Sequence, residues 1–143
     1  MIQMKSDELS FELISSNWRM QNNEIQGPNC LFSLLQVQNG VPATLTIYGY
    51  EQESKTIEEV KTSIEDNTRT QQWDIISSKI VEINSYEVLD LIALANIDNQ
   101  QLELHTISTL NNGKLYVFEL LSFADDKYAS SELRNIFNTL IFF

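Results

Sequence analysis

Four strand-like segments follow one another between residues 75 and 123, and short turn signals separate them. The segments are IISSKIVEI, YEVLDLIALANI, QLELHTIST and KLYVFELLSF. Asn84-Ser85, Asp98-Asn99 and Asn112-Gly113 stand at the joints, and Asn, Asp and Gly tolerate the left-handed backbone angles that tight hairpins require. YEVLDLIALANI would also fit a buried helix, but its position between strands and its flanking turn residues favour a strand. This half of the chain therefore predicts a run of antiparallel strands.

The first third of the chain also reads as strands. LSFELI (residues 9–14) alternates apolar and polar residues, which is typical of a half-buried strand, and Trp18 after it is expected to anchor a core. CLFSLLQVQN (residues 30–39) is apolar enough for an interior strand. NGVP then predicts a turn in which Pro42 stops regular pairing, and ATLTIYGYE (residues 43–51) has the β-branched and aromatic content of a further strand.

One helix is predicted between these two groups of strands. TIEE forms a capping box in which Thr56 accepts a hydrogen bond from the Glu59 amide while Glu59 reaches back. Ile57, Val60 and Ile64 then recur at helical spacing and predict one buried stripe. The charged residues on the opposite face, including the pair Glu58-Glu59, are expected to be solvated.

A second helix is predicted near the end of the sequence. Leu133, Ile136, Phe137 and Leu140 fall at i, i+3, i+4 and i+7, the spacing of a buried stripe. The start of this helix is rich in capping and acidic residues, namely Asp125, Asp126, Ser130 and Glu132. The final LIFF is expected to dock, with Phe142 and Phe143 pairing as a short edge segment.

Size and charge exclude several classes of function. The 143 residues contain only four glycines and two prolines, so residues 1–143 are predicted to form one domain. Nine Lys and Arg stand against twenty Asp and Glu, giving a net charge of -11, which argues against nucleic-acid binding and against anionic membrane surfaces. No signal peptide and no apolar run long enough to span a membrane is expected. Cys30 is the single cysteine of the sequence and is expected to be buried. A cytoplasmic location is predicted.

The order of elements resembles the PsbP-like fold family. The residues that carry the resemblance are LSFELISSNW, TIEEVKTSI, NNGKLYVFELLSFADDKY and LRNIFNTLIFF, which together cover nearly the whole chain. The resemblance implies an α+β fold in which helices flank an antiparallel β-sheet, an α/β/α sandwich. Such relatives bind proteins or peptides without catalysis. They include a photosystem extrinsic subunit, a nuclear import factor, and bacterial chaperones that hold transmembrane segments of secretion effectors.

The residue types available for chemistry are few. His105 is the single histidine, is expected to face outward beside Glu103, and lacks an evident nucleophile or companion metal ligand. Helix capping explains Asp125-Asp126 better than metal binding does. We therefore predict no enzyme activity, no catalytic or metal-binding residue and no cofactor.

One stretch is unusually acidic. From Ile80 to Gly113 there is no Lys or Arg, while five carboxylates occur. If the strands of this stretch are neighbours, they present a concentrated negative surface, which is either a set of solvated acids or a docking surface for a basic protein. The predicted partner-binding residues are Glu82, Glu87, Asp90, Glu103 and His105.

Three functions fit the sequence. The first is a bacterial adaptor or chaperone that binds a protein segment, either as a monomer or as a homodimer, with a secretion system as one process that it could serve. The second is an immunity-type protein whose acidic face blocks a basic toxin. The third is an enzyme of the cone-shaped α+β type, which would require His105 to point into a cavity.

Overall fold

The described residues form ten strands and two helices. The computed structural model describes residues 2–15, 17–21, 27–38, 41–51, 55–124 and 127–143. In chain order the elements are β1 (Ile2–Lys5), β2 (Leu9–Leu13), β3 (Trp18–Met20), β4 (Cys30–Gln38), β5 (Val41–Glu51), α1 (Ile57–Thr70), β6 (Asp74–Ile83), β7 (Tyr86–Ile97), β8 (Gln100–Asn111), β9 (Lys114–Phe123), α2 (Lys127–Thr139) and β10 (Ile141–Phe142). All of the predicted strands and helices are present among these twelve elements.

Seven strands form one antiparallel sheet in the order β3-β4-β5-β9-β8-β7-β6. The turns Asn84-Ser85, Asp98-Asn99 and Asn112-Gly113 join β6 to β9 as predicted. Both residues of each turn have positive φ, between 49° and 77°, as the tight primed turns of β-hairpins require. YEVLDLIALANI is a strand, so the preferred interpretation of that segment is confirmed.

The two faces of this sheet are covered by different elements. α1 packs against β6 and β7 on one face, which we call the α1 face. On the other, the α2 face, lie α2 and a small antiparallel sheet of order β1-β2-β10. The main core is on the α2 face and includes Phe11, Phe118 and Phe137, all at most 1% exposed. The predicted α+β fold with helices flanking an antiparallel sheet is confirmed.

The first helix begins as its sequence predicts. Thr56 is the N-cap, its hydroxyl accepts from the Glu59 amide, and the Glu59 carboxylate accepts from the Thr56 amide. Ile57 and Val60 are buried against Leu89, Leu115 and other residues of the sheet. The amphipathic pattern therefore fixes which side of α1 meets the sheet.

The second helix and the residues after it pack against the rest of the protein. Leu133, Ile136, Phe137 and Leu140 are buried as predicted. The helix ends at Thr139, and Ile141 and Phe142 then pair with β2, which confirms an edge segment but places it one residue earlier than expected. The predicted caps Asp125 and Asp126 lie outside the described residues, as does Gly40 of the predicted NGVP turn.

Pro42 does not stop regular pairing, contrary to the prediction. It lies within β5 opposite Val37 of β4, and β9 begins to pair with β5 only at Thr44. The missing N–H of Pro42 therefore falls where no strand needs it, which is the position in a sheet that tolerates proline.

Two further predictions are corrected. His105 was expected to face outward, but it is only 2% exposed, because α2 and the small sheet cover the face of the sheet on which it lies. Cys30 was expected to be buried but is half-buried, and its thiol donates to the Phe32 carbonyl. Trp18, in contrast, is buried in the main core as predicted.

Candidate functional site

The predicted partner-binding residues do not form one surface. β6, β7 and β8 are neighbours, as that prediction required, and Glu82 lies directly opposite Glu87 with both side chains exposed. Glu103 is half-buried and pairs with Leu94 near the other end of β7, roughly 23 Å from Glu87 along the strand. Asp90 is buried, as His105 is. Only Glu82 and Glu87 remain as an exposed acidic pair.

Asp90 and His105 instead form a buried pair beneath α2. His105 Nε2 lies 2.7 Å from Asp90 Oδ1, and Arg134 of α2 donates to Asp90 Oδ2. Burial by itself raises the pKa of Asp90, but the hydrogen bond and charge of His105 and the charge of Arg134 hold that pKa below its ordinary value. The second ring nitrogen, Nδ1, is buried without a hydrogen-bond partner among the described residues. The arrangement ties β7 and β8 to α2.

The opposite face of the sheet holds a carboxylate that the sequence did not single out. Glu119 lies on central strand β9, directly between Thr46 of β5 and Thr106 of β8. It points to the α1 face, because Val117, two residues earlier, packs with Ile57 and Val60 of α1. Glu119 is half-buried, and burial raises the pKa of its carboxyl group.

Two tyrosines lie next to Glu119 on the same face. Tyr48 and Tyr50 of β5 stack with ring centroids 5.8 Å apart. Burial, followed by the nearby Glu119 charge, raises the pKa of Tyr48 to about 12. Both phenols are therefore neutral at physiological pH, so they add aromatic surface beside Glu119 without adding charge.

A half-exposed apolar strip continues from Glu119 along the α1 face. Its members are Leu35, Val37, Leu102, Leu121 and Phe123, of which Val37 is 56% exposed and the others are half-buried. Leu35 and Leu121 flank Thr44 in one cross-strand row, and Leu102 faces Phe123 in the next. We call these five residues the apolar strip. They lie beside the area that α1 covers.

Shallow grooves lie at both ends of the apolar strip. One, of about 180 Å³, is lined by Asn17, Arg19, Leu35 and Val37. The other, of about 360 Å³, is lined by Gln100, Gln101, Phe123 and Ala124. The apolar strip thus runs from one shallow groove to the other.

Neither Glu119 nor the apolar strip is evident from any single segment of the sequence. FELLSF reads as a strongly apolar strand, and nothing in it indicates which face α1 leaves open. The signal that could have identified Glu119 is that it is the single carboxylate within a strongly apolar strand, where a charged group is costly to bury.

The described residues contain no group of three or more His, Cys, Asp or Glu side chains placed to hold a metal ion. No helix in the described part of the chain is long and apolar enough to cross a membrane.

The layers, the strand order and the two flanking helices define an α+β domain built on an antiparallel sheet. Comparison with solved structures gives this class a name, the PsbP-like fold. The chain is similar to PsbP (CyanoP) of Synechocystis sp. PCC 6803, with a TM-score of 0.75 and 14% identity over 99% of this chain and 92% of that one. The predicted resemblance is thereby confirmed at the level of the fold.

Other solved structures share this fold. LpqN, a protein involved in cell envelope biogenesis of Mycobacterium tuberculosis, matches with a TM-score of 0.63 and 9% identity over 99% of this chain and 89% of LpqN. A Bacteroides thetaiotaomicron protein matches with a TM-score of 0.67 and 12% identity over 94% of this chain but only 45% of its own. No protein-family model and no curated protein sequence matches the chain. At these identities the likeness concerns the fold alone.

Proposed function

We propose that this chain is a non-enzymatic domain that binds another protein or a peptide segment, as an adaptor or chaperone in the bacterial cytoplasm. The observation that carries the proposal is the apolar strip. A protein with a net charge of -11 leaves adjacent apolar side chains half-exposed on one sheet face, between two grooves. Exposed apolar surface of this kind, rimmed by polar residues, marks interaction sites. The proposal includes a role in a bacterial secretion system, in which the protein acts as a monomer or as a homodimer.

A pull-down with matched surface variants tests this function. Tagged wild-type protein is incubated with lysate of its source organism, and bound proteins are identified by mass spectrometry. Val37→Glu places a charge on the apolar strip, and Ile76→Glu is the control, because the two side chains are 56% and 54% exposed. We expect a stoichiometric partner that Val37→Glu loses and Ile76→Glu retains. A partner retained by both variants, or no partner for folded wild-type bait, would contradict the proposal.

One observation favours the immunity-type function as a second candidate. Glu82 and Glu87 are exposed and directly opposite each other on neighbouring strands. Like charges in this arrangement destabilise a sheet, so a basic partner that covers them would relieve the repulsion. Under this alternative, Glu82→Lys with Glu87→Lys slows association with the partner and removes its salt dependence. Unchanged salt dependence would exclude a docking role for this pair.

A further inference from the structure

Strand β9 presents one acidic and two apolar side chains in line on the α1 face. Glu119, Leu121 and Phe123 alternate with residues that face the other way, so their side chains are spaced roughly 7 Å apart along the strand. Leu121 and Phe123 belong to the apolar strip. Whatever segment covers these two side chains therefore passes within reach of Glu119.

The Glu119 carboxylate has no cation beside it in the described part of the chain. Lys61 of α1 is bound by Glu65 at 2.8 Å. Arg19 is on β3, three strands away from β9, which corresponds to roughly 14 Å. The immediate neighbours of Glu119 in the sheet are two threonines and, one row along, the neutral Tyr48. A half-buried carboxylate without a partner is unfavourable in the isolated protein.

We infer that Glu119 selects the partner, which is an apolar segment carrying a Lys or Arg side chain that pairs with this carboxylate. This inference rests on the proposed binding function and specifies the chemistry of what is bound. The apolar residues of the segment cover Leu121 and Phe123 while its basic side chain reaches Glu119 between the threonines. The aromatic rings of Tyr48 and Tyr50 lie on the same side and suit the alkyl stem and the cationic group of such a residue.

A displayed library of random twelve-residue peptides tests the inference without knowledge of the natural partner. The library is selected against the wild-type chain, against Glu119→Gln, and against Glu58→Gln. The last variant removes the same charge from an exposed position on α1. The best wild-type binder is then synthesised with Lys and, as its uncharged twin, with acetyl-lysine, and both affinities are measured by fluorescence anisotropy.

The expected result is enrichment of one basic residue among apolar ones by the wild type and by Glu58→Gln, but not by Glu119→Gln. The Lys peptide should bind the wild type roughly tenfold more tightly than its acetyl-lysine twin, with the preference lost in Glu119→Gln. Enrichment of apolar peptides without a basic residue would overturn the role of Glu119 and leave the binding function intact. No enrichment by any of the folded proteins would count against both.

Discussion

His105 Nε2 lies 2.7 Å from Asp90 Oδ1, and both side chains are only 2% exposed. The two residues are on neighbouring strands, and Arg134 of α2 approaches the second oxygen of the same carboxylate. A pair of this kind contributes little when it is complete but is costly to break, because the remaining group is buried without its partner. The pair therefore serves to hold β7, β8 and α2 in one arrangement.

Substitution of either buried partner should destabilise the fold. We expect Asp90→Asn to cost about 3 kcal/mol of unfolding free energy and His105→Gln a similar amount. The double variant should be less destabilised than the sum, with a coupling energy of about 1 kcal/mol or more, measured by urea unfolding. Arg134→Gln is the control. Its side chain is 52% exposed, so the loss should stay below about 1 kcal/mol. Strictly additive effects of Asp90→Asn and His105→Gln would show that the two do not act together.

Glu119 predicts an unusual dependence of stability on pH. Its pKa is higher in the folded than in the unfolded chain, so the folded state binds the proton more tightly and stability falls as pH rises from the ordinary Glu value through the folded pKa. Glu119→Gln should therefore be more stable than the wild type at pH 7, and the difference should shrink toward pH 4. Tyr48 and Tyr50 do not titrate in this window, since their pKa values are raised above the ordinary tyrosine value.

Thermal unfolding of the two proteins between pH 4 and pH 8 measures this difference. Glu58→Gln, at an exposed site, should show no such trend. A Glu119→Gln variant that is less stable than the wild type at pH 7 would mean that the carboxylate has a stabilising partner within the protein. Greater stability combined with lost peptide selectivity would instead identify a residue retained for binding at a cost in stability.

A glycine at position 85 should stabilise the hairpin between β6 and β7. Ser85 has a φ of 70°, a conformation that is unfavourable for a residue with a Cβ atom. Ser85→Gly should raise the unfolding free energy by roughly 1 kcal/mol. Gly113 occupies the equivalent position of the β8–β9 hairpin with a φ of 77°, so Gly113→Ser should lower stability by a similar amount. Chemical denaturation of both variants checks this reciprocity, and a destabilised Ser85→Gly would refute it.

The two final phenylalanines should differ in their contribution to stability. Phe142 packs against Tyr86 and Tyr116, with ring centroids 5.8 Å and 4.8 Å away, whereas Phe143 is 58% exposed and has Lys5 over its ring. We expect Phe142→Ala to cost about 2 kcal/mol, less than for a fully buried ring, and Phe143→Ala less than about 0.5 kcal/mol. Equal losses in thermal unfolding would mean that β10 docks in another way.

Local sequence patterns were sufficient to predict most of the fold. Asn84-Ser85, Asp98-Asn99 and Asn112-Gly113 determine turn positions, and the turn positions determine strand register from β6 to β9. The Thr56 capping box and the spacing of Leu133, Ile136 and Phe137 likewise depend on neighbours within one or two turns of helix. Where the responsible interactions are local, the sequence pattern and the structure agree.

The functional residues depend on contacts that are distant in sequence. His105 reads as a surface residue because β8 alternates apolar and polar side chains, but the small sheet and α2, formed by residues far from β8, cover its polar side. Glu119 is notable only because Thr46 and Thr106 become its neighbours in the sheet and its carboxylate stays half-buried there. No pattern within a single strand carries that information.

The small sheet has a consequence for how the protein is made. β2 lies between β1 and β10, and the Glu12 amide donates to the Thr139 hydroxyl, its partner 127 positions along the chain. Leu9, Phe11 and Leu13, which are almost fully buried in the finished protein, leave the ribosome long before α2 and β10 are synthesised. The first hairpin therefore stays uncovered through most of translation, and the interval in which a nascent chain is prone to aggregate closes only when residues 127–142 dock.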